Sequence, residues 1–267
     1  MDQPCARSGL SFMVLNESEV LGWLGQFLWP FLRITGLFLT APLYNSAFIP
    51  RIIKIAISTS YAASLAMWLP QLPIFPADPA SIILQGLLQI SVGALLGLVM
   101  QIMVSAVASA GELVGLSIGL GFAELQFREA NAATPVLFDL MFWTGLIGYM
   151  VAGGPLWLFA ALAHSFHAGV GGATFASWTN LSSFGSTLIG SAVWLALPVI
   201  AVSLCINIIV GLTTVFAPQM NLLTIGFPLL ILAGLWIFSA SISYVDHDIK
   251  ILLFRAMNVG TQMLSHV

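Results

Sequence analysis

The chain is predicted to be an all-α membrane protein, and three observations predict it. Its 267 residues are 59% hydrophobic and only 6% charged, against roughly 25% charged in a typical soluble domain. So few charges cannot cover a water-facing surface. The apolar runs are long and lack the short alternation of a membrane β-barrel, so helices fit and a barrel does not. Proline and glycine clusters divide these runs into helix-sized lengths.

The remaining bulk properties exclude several function classes. A net charge of -3 argues against nucleic acid as a partner. Cys5 and Cys205 lie far apart, one in a polar start and one in an apolar run, which suggests neither a disulfide framework nor a metal site. Met1 to Ser18 carry Asp2, Arg7 and Glu17 without a basic region ahead of a short apolar core, so no signal peptide is expected.

Val20 to Leu43 is the first apolar helix, with Pro30 as a site of bending and Arg33 inside it. Asn45, Ser46, Pro50, Arg51 and Lys54 form a polar turn with two positive charges. Ile52 to Leu69 is the second helix, started by Pro50. Pro70, Pro73, Pro76 and Pro79 then impose a stiff loop. The basic turn is placed on the cytoplasmic side and the amino terminus outside, because Asp2, Glu17, Glu19 and Asp78 make their neighbours acidic.

Ser81 to Phe122 contains no proline. As one straight helix it would be about 60 Å long, twice the hydrocarbon thickness. It is therefore either one very long helix or two helices broken in the glycine region. Pro135 opens the next run, to Val151, and Gly153-Gly154-Pro155 breaks it. Leu156 to Phe166 is short, and Gly169 to Asn180 reads as a loop. Leu188 to Phe216 is apolar again, with Pro198 and Asn207 inside, and Asn207 reads as an interhelical hydrogen-bond donor. After the break Ala217 to Asn221, Leu222 to Ile242 is interrupted by Gly226-Phe227-Pro228. Tyr244 to Val267 has the spacing of an amphipathic helix, suited to a surface or to docking on another subunit.

The centre of the chain is unusual. Gly111, Gly115 and Gly119 fall four apart, which puts them on one helix face and admits a second helix at close range. Gly93 and Gly97 make a second such pair. Glu112 sits just inside the apolar run, and Arg33 and Asp139 are also deep in apolar sequence. Arg33 and Glu112 are expected to be buried charges, each with a polar partner, water-filled surroundings or a position outside the hydrocarbon. Beyond Phe122 comes the most polar interior stretch, with Glu124, Gln126, Arg128, Glu129, Asn131 and Thr134.

One catalytic pattern is present. Gly115-Leu116-Ser117-Ile118-Gly119 fits Gly-x-Ser-x-Gly, but soluble hydrolases put it on a strand-to-helix turn and no strand is readable here. An intramembrane serine protease using Ser117 with His164 or His167 is the alternative from another class. The competing account is a small residue in a packed helix face. His164 and His167 have no Cys, Asp or Glu nearby and make a poor metal site. A small-solute transporter is a third alternative, without an inverted repeat in the helix pattern to support it. No catalytic residue, cofactor or metal is expected.

Four stretches in order resemble the FliR family of the flagellar type III export apparatus. They are Trp29-Pro30-Phe31-Leu32-Arg33 with Thr40-Ala41-Pro42, then Pro50-Arg51 with Lys54, then Gly111-Glu112-Leu113-Val114-Gly115 through Gly119-Leu120-Gly121-Phe122, and finally Ala217-Pro218-Gln219-Met220-Asn221 with Gly226-Phe227-Pro228. The resemblance implies a subunit of the flagellar protein-export gate in the bacterial inner membrane at the basal body. Its partners would be FliP, FliQ and FlhB type subunits, unfolded export substrates and lipid. The fold it implies is one of bent helical hairpins. A polar tail (1–19) would precede a FliP-like part (20–180), a FliQ-like hairpin (181–243) and the amphipathic end (244–267). It also implies a pore plug near 119–134, with Gly119, Leu120, Gly121, Phe122, Leu125, Phe127 and Arg128 as gate residues, while the spacing of Gly111 and Gly115 makes them helix-packing residues. The equivalent subunit of a virulence injectisome is the nearest alternative. A pore for unfolded chains needs a closable apolar constriction and no nucleophile.

Overall fold

The computed structural model describes residues 17–44, 49–69, 78–120, 135–166, 175–216 and 226–265. The described residues are helical, without strands: α1 (Glu17–Thr40), α2 (Arg51–Trp68), α3 (Pro79–Ser117), α4 (Val136–Val151), α5 (Gly154–Ser165), α6 (Phe175–Phe216) and α7 (Phe227–Ser265).

Prolines and glycines set the boundaries. The Pro50 carbonyl accepts the N–H groups of Ile53 and Lys54 and starts α2. Pro79, expected in the loop, instead occupies the first turn of α3, where its missing N–H matters least. Gly153, at φ 77, closes α4 in the left-handed conformation that favours glycine. Its carbonyl accepts the Trp157 N–H and opens α5. The two helices meet at a bend of 60°. Pro30 and Pro198 lie inside continuous helices.

The long proline-free run is one helix rather than two. At 39 residues it is close to 60 Å long, and it forms the axis of the molecule. On it pack α1, α4, α6 and α7, while α2 packs on α1. In its most apolar stretch 61% is buried within the chain, against 17% for α6. Thus α3, though apolar enough to cross a membrane, spends most of its surface on other helices. Against lipid such burial brings little hydrophobic gain, so close packing has to hold these helices together.

Two further expectations are corrected. The loop expected over Gly169 to Asn180 is helical from Phe175, because α6 extends toward its buried stripe of Phe184, Leu188, Ala192, Ala196, Val199 and Ser203. Beyond Ser203, Leu204, Ile208, Ile209, Leu212, Val215 and Phe216 are exposed. The amphipathic end is the second half of α7, and it docks within its own chain. Ile249 lies over Gly148 of α4, and Gly260 receives the ring of Trp157 of α5. The buried residues Val245, Ile249, Leu252, Leu253, Ala256 and Met263 form its inward face.

Candidate functional site

Among the described residues, a close backbone seam joins α1 to α3. A Cβ built on Gly93 would overlap the Arg33 carbonyl, and one on Gly97 would overlap Thr40. From the other side, a Cβ on Gly36 would overlap the Ile90 carbonyl. Three glycines therefore let two backbones touch, and that contact sets where the Arg33 side chain leaves α1.

Arg33 is fully buried. Its Nε donates to Gln89 Oε1 of α3 at 2.7 Å. Its Nη1 donates to Ser165 Oγ, in the last turn of α5, at 2.6 Å. The guanidinium lies 3.9 Å above the centroid of the Phe166 ring. Ser165 Oγ in turn donates to the Leu162 carbonyl. Nη2 has no acceptor among the described residues, and neither has Gln85 Oε1 a donor, one turn before Gln89. Among the described residues no carboxylate pairs with Arg33. The cation is thus held by neutral groups at the carbonyl end of α5, where the helix dipole is negative.

The second expected buried charge behaves differently. Glu112 is exposed on the single chain, on the α3 face it shares with the exposed Leu116. Gly111, Val114, Gly115 and Ile118 turn to the interior. The run around Glu112 is apolar all round, so composition could not tell which face looks outward. Asp139 and Asn207 are likewise exposed.

The three central glycines have three different roles. At Gly111 a Cβ would overlap the Leu137 carbonyl of α4 and crowd Met141. At Gly115 it would sit 3.6 Å from Leu137 Cδ1, an ordinary contact. Gly119 has φ 81 and ends α3, its N–H donating to the Leu116 carbonyl. Just before it, Ile118 is fully buried and fits a notch on α7 that a Cβ on Gly234 would fill. Leu120 packs half-buried on the core. Of the proposed plug, Gly119 and Leu120 are thus placed at the end of α3, whereas Gly121, Phe122, Leu125, Phe127 and Arg128 lie outside the described residues.

Ser117 Oγ donates to the Val114 carbonyl in its own helix. His164 is exposed at the end of α5, and His167 lies outside the described residues. Gln89, Ser165 and Phe166 escaped the sequence reading, as did Gly36 and Gly234. Gln89 carried a usable signal, being a polar residue four positions before Gly93 in an apolar run. Ser165 and Phe166 carried none, since only the fold brings them to Arg33.

Residues 24–255 match the family described as bacterial export proteins, family 1. The chain is 31% identical over 258 residues to the flagellar biosynthetic protein FliR of Escherichia coli (strain K12), covering 95% of this chain and 98% of that protein. It is 30% identical over 228 residues to FliR of Pectobacterium carotovorum subsp. carotovorum, covering 84% and 86%. With FliR of Bacillus subtilis (strain 168) it shares 23% identity over 220 residues, covering 79% and 84%.

Proposed function

The chain belongs to the bacterial export proteins of family 1, and from that premise we propose that it serves the flagellar export apparatus as a membrane-embedded, non-enzymatic subunit. The observation that carries this reading is similarity to flagellar FliR proteins over almost the full length of both chains. It favours the flagellar system over the injectisome. Helices long and apolar enough to cross a membrane, α3 and residues Ser182–Thr213 of α6, accord with a membrane location. The bacterial inner membrane is the location proposed.

Within the apparatus, the chain contributes to the wall and plug of a gate for unfolded flagellar proteins, beside FliP, FliQ and FlhB type subunits. Support for the plug comes from the end of α3. A helix held by α1 and α4 along most of its length stops in a left-handed glycine, and the segment 121–134 follows directly. Apolar groups such as Phe122, Leu125 and Phe127 at a narrow point would exclude water and ions by contact and dewetting. Displacing that segment opens the path, with Gly119 and Gly121 as pivots. The division into a FliP-like part (20–180) and a FliQ-like hairpin (181–243) belongs to the same proposal, and the outward apolar end of α6 suits a neighbouring subunit or lipid.

Two measurements test it. Purification in mild detergent should recover FliP and FliQ type subunits with the chain, and a lone stable monomer would count against the gate. Deleting 122–128 should leave the complex assembled but leaky to small ions in liposomes. An assembled, ion-tight gate after that deletion removes the plug.

A further inference from the structure

We infer that Arg33 is a positioning residue whose charge, rather than its volume, holds the carboxy-terminal end of α5 against the α1–α3 pair. This rests on the geometry of the clamp and not on the gate reading. The guanidinium is fully buried among Gln89, Ser165 and Phe166, all neutral. A buried ionic group can often be replaced by a well-packed apolar one without loss of stability. Space-filling alone is therefore served by methionine or leucine, as at Leu37 and Met100 in the same core. The adjoining segment 167–174 contains no Asp or Glu to supply a counter-charge.

The arrangement uses properties that only arginine combines. Two nitrogens of one plane donate to two different helices while the face of that plane lies on an aromatic ring. Lysine, a compact point charge, makes one such contact well. The cation also sits at the carbonyl end of α5, which favours positive charge and gives nothing to an apolar substitute.

What the clamp holds is the far end of a short helix whose inner face, Leu158, Ala161 and Leu162, is already buried. α5 spans 12 residues and begins at the 60° bend after α4. Its middle is tied to α2, because Tyr61 donates to the Phe159 carbonyl at 2.8 Å. Along α7, Trp157 seats over Gly260. Its far end is tied by Arg33, and from that end the chain leads on toward α6.

The test uses the full chain, expressed in membranes with its apparatus, carrying Cys5→Ser and Cys205→Ser. Ala161→Cys reports on α5, because Ala161 is 5% exposed one turn before Ser165. Val104→Cys, in a separate copy, reports on the fully buried middle of α3. Maleimide labelling of the α5 reporter should be about fivefold faster with Arg33→Met, as local opening predicts. It should be intermediate with Arg33→Lys, and about twofold faster with Gln89→Leu or Ser165→Ala, each of which removes one contact. The α3 reporter should stay slow throughout. Unchanged labelling of the α5 reporter in Arg33→Met overturns the inference, and so does equal acceleration at both reporters, which marks general loosening. Where Arg33→Met yields no chain, Gln89→Leu and Ser165→Ala decide, since both keep the cation. Unchanged labelling in both overturns the inference equally.

Discussion

The carbonyl oxygen of Arg33 occupies the space in which a side chain on Gly93 would begin. Backbone meets backbone there, so neither helix can yield by a rotamer change. We predict that Gly93→Ala destabilises the protein by about 1–3 kcal/mol, the range for overpacking a tight site. Gly190→Ala is the control. It has open space around its Cα in the single chain, and alanine favours a helix by roughly 0.5–1 kcal/mol. Thermal unfolding of the two detergent-solubilised variants checks this, and a Gly93→Ala midpoint at or above wild type would contradict it.

Gly111 and Gly115 should respond differently to the same change. Alanine at Gly111 runs into the Leu137 carbonyl, whereas at Gly115 it meets only Leu137 side-chain atoms at 3.6 and 3.7 Å. Gly111→Ala should reduce complex yield and swimming, and Gly115→Ala should leave both near wild type. Leucine at Gly115 is larger than that contact admits and should weaken assembly too. Equal tolerance of alanine at both positions would refute the assigned geometry.

Ile118 ties the last turn of α3 to Gly234 of α7, immediately before the turn at Gly119. Ile118→Ala empties that notch and should cost about 2–5 kcal/mol of local packing. If the plug reading holds, assembled gates bearing Ile118→Ala leak small ions more than wild type in liposome conductance. Wild-type conductance from an assembled variant would separate the anchor from the plug.

The contact of Tyr61 with Phe159 fixes α2 to α5 by a hydrogen bond and by rings whose centroids are 4.8 Å apart. Tyr61→Phe removes only the bond, so a loss of about 0.5–1.5 kcal/mol is expected. Tyr61→Leu should lose roughly a further 0.5–1.5 kcal/mol of ring interaction. Chemical denaturation of the purified protein reads both, and Tyr61→Leu as stable as Tyr61→Phe would remove the aromatic contribution.

Sequence alone settled the class of this protein. Charge scarcity and long apolar runs leave few solutions besides packed helices in or near a membrane, and punctuation at Pro50, Pro135 and Gly153-Gly154-Pro155 marks helix boundaries that the structure keeps. Four stretches around proline, glycine and isolated charges sufficed for the family, since such residues are rare in apolar helices and their order is informative. Tertiary structure alone decided which face of each helix looks inward. In runs apolar on every side there is no periodicity to read, so the sequence did not show that Glu112 faces outward on the single chain, while Arg33 was expected to need partners that only the fold identifies. The glycine spacing likewise showed that close approach was possible, not where it occurs. Gly93 and Gly111 touch backbone, Gly115 touches a side chain, and Gly119 serves its own φ angle. Contacts between residues as distant as Arg33 and Ser165 depend on how helices cross, and that is set by the sum of many small packing choices rather than by any local pattern.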